Sequence, residues 1–198
     1  GGAINYIPLH PHFDGSEYVK AEVLSDYNSN NDQYTNGVKF EASNGSWGIS
    51  GGVVYKNAGN ITTPDAQTFD PNNPETADLP KFSGELANTD FEQTNATVTV
   101  ENSGDYGNVS LNYTRWANEH NFLLPNGKGL GQFISNDILQ LNGTFTLSDQ
   151  LKLKPNFTFS SNLRQSNPGG GNAEPRDQLP DPSDRAHLDI LRDAYNAE

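Results

Sequence analysis

The stretch from Asn136 to Gln165 decides the fold. It contains Asp137-Ile-Leu-Gln-Leu-Asn-Gly-Thr-Phe-Thr-Leu147, then Ser148-Asp149-Gln150, then Leu151-Lys-Leu-Lys-Pro-Asn-Phe-Thr-Phe-Ser-Ser-Asn-Leu163. In the first part Leu139, Leu141, Gly143, Phe145 and Leu147 take alternate places, separated by Gln140, Asn142, Thr144 and Thr146. In the second, Leu151, Leu153, Pro155, Phe157, Phe159 and Leu163 alternate with Lys152, Lys154, Asn156, Thr158 and Asn162. A period of two sends alternate side chains to opposite faces, so each part reads as a strand with one apolar and one polar face. The short polar link makes the pair a hairpin. Both strands exceed the ~5–6 residues usual in soluble proteins and reach the roughly 9–11 that a membrane-crossing β-strand needs. Pro155 removes a ladder donor, so a local bulge is expected there.

The same alternation recurs along the chain. A strand is expected over 17–28 (Val19, Ala21, Val23 and Tyr27 against Lys20, Glu22 and Asp26), another over 34–43 (Val38, Phe40 and Ala42) and a third over 47–57 (Trp47, Ile49, Val53 and Tyr55). Asn44-Gly45 marks a tight turn between the last two, because both residues tolerate positive φ. Residues 60–88 lack periodicity, contain four prolines and read as one long loop. Strands follow over 91–102 and 108–118, then a Gly-rich loop over 121–133. After Gln165 comes a Pro/Gly loop. Ser183 is a good helix N-cap, and Leu188, Leu191 and Tyr195 recur at helical spacing, so a short helix is expected over 184–197. A strand-like piece over 3–7 precedes Pro8 and Pro11.

The connections follow a rule. The turns after the second, fourth and sixth strands are short, whereas those after the third, fifth and seventh are long; the link after the first is a short exception. In an up-and-down sheet alternate connections fall on opposite rims, so one rim carries tight turns and the other most of the long loops. That is the layout of outer-membrane barrels. Tyr27, Tyr34, Trp47, Tyr55, Tyr106 and Trp116 lie near strand ends, where interface girdles sit.

Composition agrees. Only 33% of the 198 residues are hydrophobic, while 10% are aromatic. A closed sheet with lipid on one side and a wet lumen on the other needs no more, since closure pairs every backbone group. The net charge of −13 disfavours nucleic acid and basic peripheral anchoring. There is no Cys, which removes disulfides and thiol chemistry. No run of about 18 apolar residues exists for a transmembrane helix. The first residues have no basic region followed by an apolar one, so they are not a signal peptide, and the chain reads as mature or cut from something larger. Seven strands are fewer than the eight or so of the smallest bacterial barrels, which makes this a piece of a larger one.

Several stretches then resemble one family. Gly1-Gly2-Ala3-Ile4-Asn5-Tyr6 is similar to the segment that closes the plug domain of TonB-dependent outer-membrane receptors. Asn88-Thr-Asp-Phe-Glu-Gln93, Tyr113-Thr-Arg-Trp-Ala-Asn-Glu-His-Asn-Phe-Leu-Leu-Pro125 and Lys154-Pro-Asn-Phe-Thr-Phe-Ser-Ser-Asn-Leu-Arg164 resemble, in order, family strands from the first third of a roughly 22-strand barrel. The resemblance implies residues 1–15 as plug end and linker, 16–165 as the N-terminal barrel, and 166–198 as a loop with a helix. It implies residence in the bacterial outer membrane with lipid around it. It also implies energy-coupled import of a scarce small molecule, such as a siderophore, another metal chelate, cobalamin or a sugar. Coupling would run through a TonB complex by way of plug residues that lie outside this chain. The alternative is a secreted, soluble β-sandwich binding module of lectin type, with Val98, Leu141 and Phe157 in a protein core.

Ligand-contact candidates are loop-side polar residues: His120, Glu119, Asn126, Asp70 and Asp78. His10 and His12, with Asp14, share the spacing of two metal ligands but lack a firm third, and the plainer reading is a linker. The acidic, Asn-rich loop around Asp70 and Asp78 has oxygen ligands but no Asp-x-Asp-x-Asp-Gly pattern for Ca²⁺. No nucleophile elbow, phosphate loop or dinucleotide fingerprint is present, and no carboxylate pair stands out, so neither an enzyme nor a cofactor is expected.

Overall fold

The computed structural model describes residues 10–13, 16–67, 81–124, 129–167 and 188–197. Eleven strands make up the regular structure among them: β1 (Glu17–Asn28), β2 (Gln33–Asn44), β3 (Trp47–Ala58), β4 (Ile61–Gln67), β5 (Lys81–Leu86), β6 (Phe91–Gly104), β7 (Gly107–Leu123), β8 (Gly129–Ser148), β9 (Leu151–Leu153), β10 (Asn156–Asn167) and β11 (Leu188–Ala197). The main sheet has the order β1-β2-β3-β6-β7-β8-β10-β11, with β9 on β8, and every pairing in it is antiparallel. This is an all-β meander. It is open: neither β1 nor β11 has a further partner among the described residues.

Turns near residues 45–46, 105–106 and 149–150 lie on one rim, and at the other the chain leaves the sheet after β1, β3, β7 and β10 and re-enters it at β2, β6, β8 and β11. The tight rim follows from its turn residues. Gly45 takes φ 87°, and the Asn44 Oδ1 accepts from Ser46 N at 3.2 Å and Trp47 N at 2.8 Å. Gly107 takes φ 121°, and a Cβ there would stand 1.8 Å from the Thr144 carbonyl oxygen, so only glycine fits.

Several expectations need correction. Residues 188–197 form a strand, not a helix. Their apolar spacing also suits a strand, because Leu191, Tyr195 and Ala197 fall opposite Leu163, Phe159 and Phe157 of β10, and the ready-made edge of β10 decides the outcome. The loop over 60–88 contains the β4–β5 hairpin. Its alternation was hidden because the register shifts between Thr63 and Ala66, around Pro64, which cannot donate to the ladder. β7 and β8 run on past their expected ends and take residues 121–123 and 129–133 out of the expected Gly-rich loop. At Lys154–Pro155 the seventh expected strand splits into β9 and β10, and the Pro155 carbonyl accepts from Gly143 N at 2.9 Å. The strand-like piece over 3–7 lies outside the described residues.

The two faces of this sheet are buried in the reverse of the usual order. Apolar side chains are exposed: Val19 at 84%, Val23 at 81%, and also Val38, Ile49, Val53, Leu111, Leu141 and Phe157. Polar ones are covered: Ser50, Thr99 and Asn112 are 0% exposed, and Glu101, Ser110, Gln132 and Ser135 are also buried. Among the described hydrophobic residues only Ala58 is buried. Trp47 and Tyr55 bracket the apolar band of β3. The Tyr106 and Phe145 rings stack at 6.1 Å on the tight-turn rim, and Tyr27 and Tyr34 meet at 4.9 Å on the other. Trp116 belongs to neither set. It pairs with Asn95 and Asn136 on the polar face, which corrects its expected place in a girdle.

Candidate functional site

The polar face carries the chemistry, and strand register arranges it in rows. One row runs Glu41, Ser50, Thr99, Asn112, Gln140 and Thr158 across six strands. Asn112 ties it together. Its Nδ2 donates to Thr99 Oγ1 at 2.9 Å, Thr97 Oγ1 at 3.2 Å and the Val98 carbonyl at 3.2 Å, and its Oδ1 accepts from Thr114 Oγ1 at 3.2 Å. A buried amide with several partners holds the strands in one register, because a slip would leave it unsatisfied at a cost of about 1–3 kcal/mol. Nearer the loops a second row runs Val54, Asn95, Trp116, Asn136 and Asn162.

The face divides by charge. On β1–β3 it holds Lys20, Glu22, Asp26, Lys39, Glu41 and Lys56, with Lys20 Nζ 2.5 Å from Glu22 Oε1. From β6 to β10, between Thr99 and Asn162, it holds amides, hydroxyls, a tryptophan and isoleucines but no formal charge. His120 stands above this neutral zone. Its Nδ1 meets the Oδ1 of Asn118, and its ring packs edge-on against Phe122 at 4.4 Å. Burial lowers its pKa from the ordinary 6.5, against the pull of a hydrogen bond with Gln132.

Glu119, its neighbour in sequence, points to the other face, where Glu92 is its register partner. Burial first, then the charges of Glu92 and Asp90, raise its pKa from 4.5. The two expected contact residues therefore belong to different surfaces, as period two requires. Asp90 is clamped by Asn121, whose Nδ2 donates to both carboxylate oxygens at 3.1 and 3.0 Å. Asn126, Asp70 and Asp78 lie outside the described residues.

A second feature had no local signal in the sequence. Residues 10–13 lie across the polar face near the tight-turn rim. His10 Nδ1 is 2.8 Å from Glu101 Oε2, and Asn108 Nδ2 donates to Glu101 Oε1 at 3.1 Å. Pro11 is buried over Gly48, where an added Cβ would meet its side chain at 2.7 Å and the Phe13 ring at 2.9 Å. His12 N donates to Tyr18 Oη at 2.8 Å. His10 and His12 thus serve different partners, Asp14 lies outside the described residues, and no cluster of three metal-ligating side chains occurs among the described residues. Residues 10–13 act as a strap across this face. The partners of His10 and Pro11 could not be found by pattern, because Glu101 and Gly48 are remote in sequence.

No family model, no curated protein and no solved structure matches this chain.

Proposed function

We propose that the chain is the N-terminal part of the barrel of an outer-membrane receptor of the TonB-dependent type, which takes up a siderophore, another metal chelate or another scarce ligand by energy-coupled transport. The observation that carries this reading is the inverted burial. Water on both sides of a sheet does not select exposed valines and leucines over covered asparagines and threonines; lipid outside and a polar interior do. The band has a suitable height. From Trp47 to Tyr55 the strand advances about 27 Å at ~3.4 Å per residue, or roughly 20 Å along the membrane normal at the usual tilt, near the ~25 Å of such barrels. The unpaired edges of β1 and β11 would close on further strands, as an edge inside lipid must. The strap over residues 10–13 enters the polar side, where a plug would lead into the wall.

The soluble sandwich needs Val98, Leu141 and Phe157 in a core, yet Leu141 and Phe157 are exposed. Cell fractionation tests the proposal. The full-length protein should sit in the outer-membrane fraction, resist extraction by high salt, and shift its electrophoretic mobility on heating in detergent, as closed barrels do. Recovery as a monodisperse, cooperatively melting protein without detergent would overturn it.

A further inference from the structure

We infer that the neutral part of the polar face is a carbohydrate platform, which takes an uncharged oligosaccharide on the Trp116 indole with the side-chain amides of Asn95 and Asn136 beside it. The inference deepens the transport proposal by choosing a substrate class, and it rests on that reading for the accessibility of this face to a ligand.

Two observations carry it. The first is charge. The protein has a net charge of −13, yet the zone between Thr99 and Asn162 holds no formal charge on β6 to β10. An anionic metal chelate would need cations within the zone, and Arg164 on β10 and Arg192, the register partner of Asn162 on β11, stand only at its edge. A cationic ligand would need carboxylates, which are absent from it. The second is the division of labour among the amides. Asn112 and Asn118 are bonded to neighbouring side chains, and Asn156 Nδ2 donates to Asn142 Oδ1. The side-chain amides of Asn95 and Asn136, the register partners of Trp116 on either side, bond no other described side chain.

An amide offers one acceptor and two donors, so it can bond adjacent hydroxyls that each both donate and accept. An indole face covers the C–H side of a pyranose ring, which ions do not offer. A half-buried tryptophan between two amides that bond no other described side chain, in a zone of β6 to β10 without formal charge, matches a sugar on each count.

The experiment is calorimetric titration of the full-length protein in detergent with maltohexaose, cellohexaose and xylohexaose, and separately with ferric citrate. At least one hexasaccharide should bind and ferric citrate should not. Trp116→Ala should weaken binding by roughly tenfold or more, whereas Trp116→Phe should keep most of it and show that the fold is intact. Binding of ferric citrate alone, binding of neither class, or saccharide binding unchanged in Trp116→Ala would overturn the inference. The transport proposal stands or falls separately, by fractionation. Chelate binding by an outer-membrane protein would leave that proposal and remove this one, and saccharide binding by a soluble protein would do the reverse.

Discussion

Leu141 and Gln140 are neighbours in one strand and obey opposite rules. Leu141 is 46% exposed on the apolar face, while Gln140 lies in the covered row with Asn112. In a water-soluble sheet the exposures would be exchanged, because transfer of a leucine from water is favourable by about 1.5–3 kcal/mol and burial of an amide is not. The difference teaches that burial within a protein is not the quantity being satisfied. What matters is which medium lies on each side, and under the transport proposal lipid lies against the apolar face.

The largest effect should come from placing charge on the apolar face. Leu141→Arg should destabilise the protein in lipid vesicles by about 2–4 kcal/mol, read by denaturant titration. If the face met water, the same change would fall within about 0.5 kcal/mol, and that result would break the comparison. On the other face, Asn112→Leu should cost about 1–3 kcal/mol, since it leaves Thr97, Thr99 and the Val98 carbonyl without their donor. A neutral outcome there would mean that the covered polar network does not hold the register.

Gly48→Ala should cost about 1 kcal/mol, at the low end for overpacking, and should lift the strap. Faster amide exchange at His12 with unchanged exchange in β7 would show it, and uniform protection would refute the seating of Pro11. The smallest effects should follow pH. The folded pKa of Glu119 is raised above 4.5, so the native state holds this proton more tightly and stability increases as pH falls toward 4.5. The folded pKa of His120 is lowered below 6.5, so the unfolded state binds the proton more readily and stability is lost as pH falls from 6.5 through the folded value. Glu119→Gln should abolish the gain and His120→Gln the loss, as seen in melting temperatures over that range. Identical pH profiles in both variants would show that the two residues do not sit in distinct environments.

Much of the sheet was legible because alternation is a local signal. The span of β1 was read to the residue, and β2, β3 and β6 to within a residue or two. The break at Pro155 follows from the lack of one N–H group. The misreadings also have physical causes. Pro64 interrupts the alternation of β4, and Leu191 and Tyr195, four residues apart, satisfy the helical and the strand period at once. Of the candidate contacts, His120 could be placed on the polar face by counting, and the same count separates it from Glu119. The place of Trp116 on that face was equally countable, but its position near a strand end drew attention to a girdle instead.

Local pattern alone accounts for the long strands with one apolar and one polar face and for the places of the tight turns. Periodicity and turn chemistry depend only on near neighbours. Tertiary structure alone decided that the polar face is the covered one, that Glu101 receives His10, that Gly48 seats Pro11, and that residues 188–197 join the sheet. Each of these depends on which strands become neighbours, and a pairing between residues distant in sequence leaves no trace in the spacing of either.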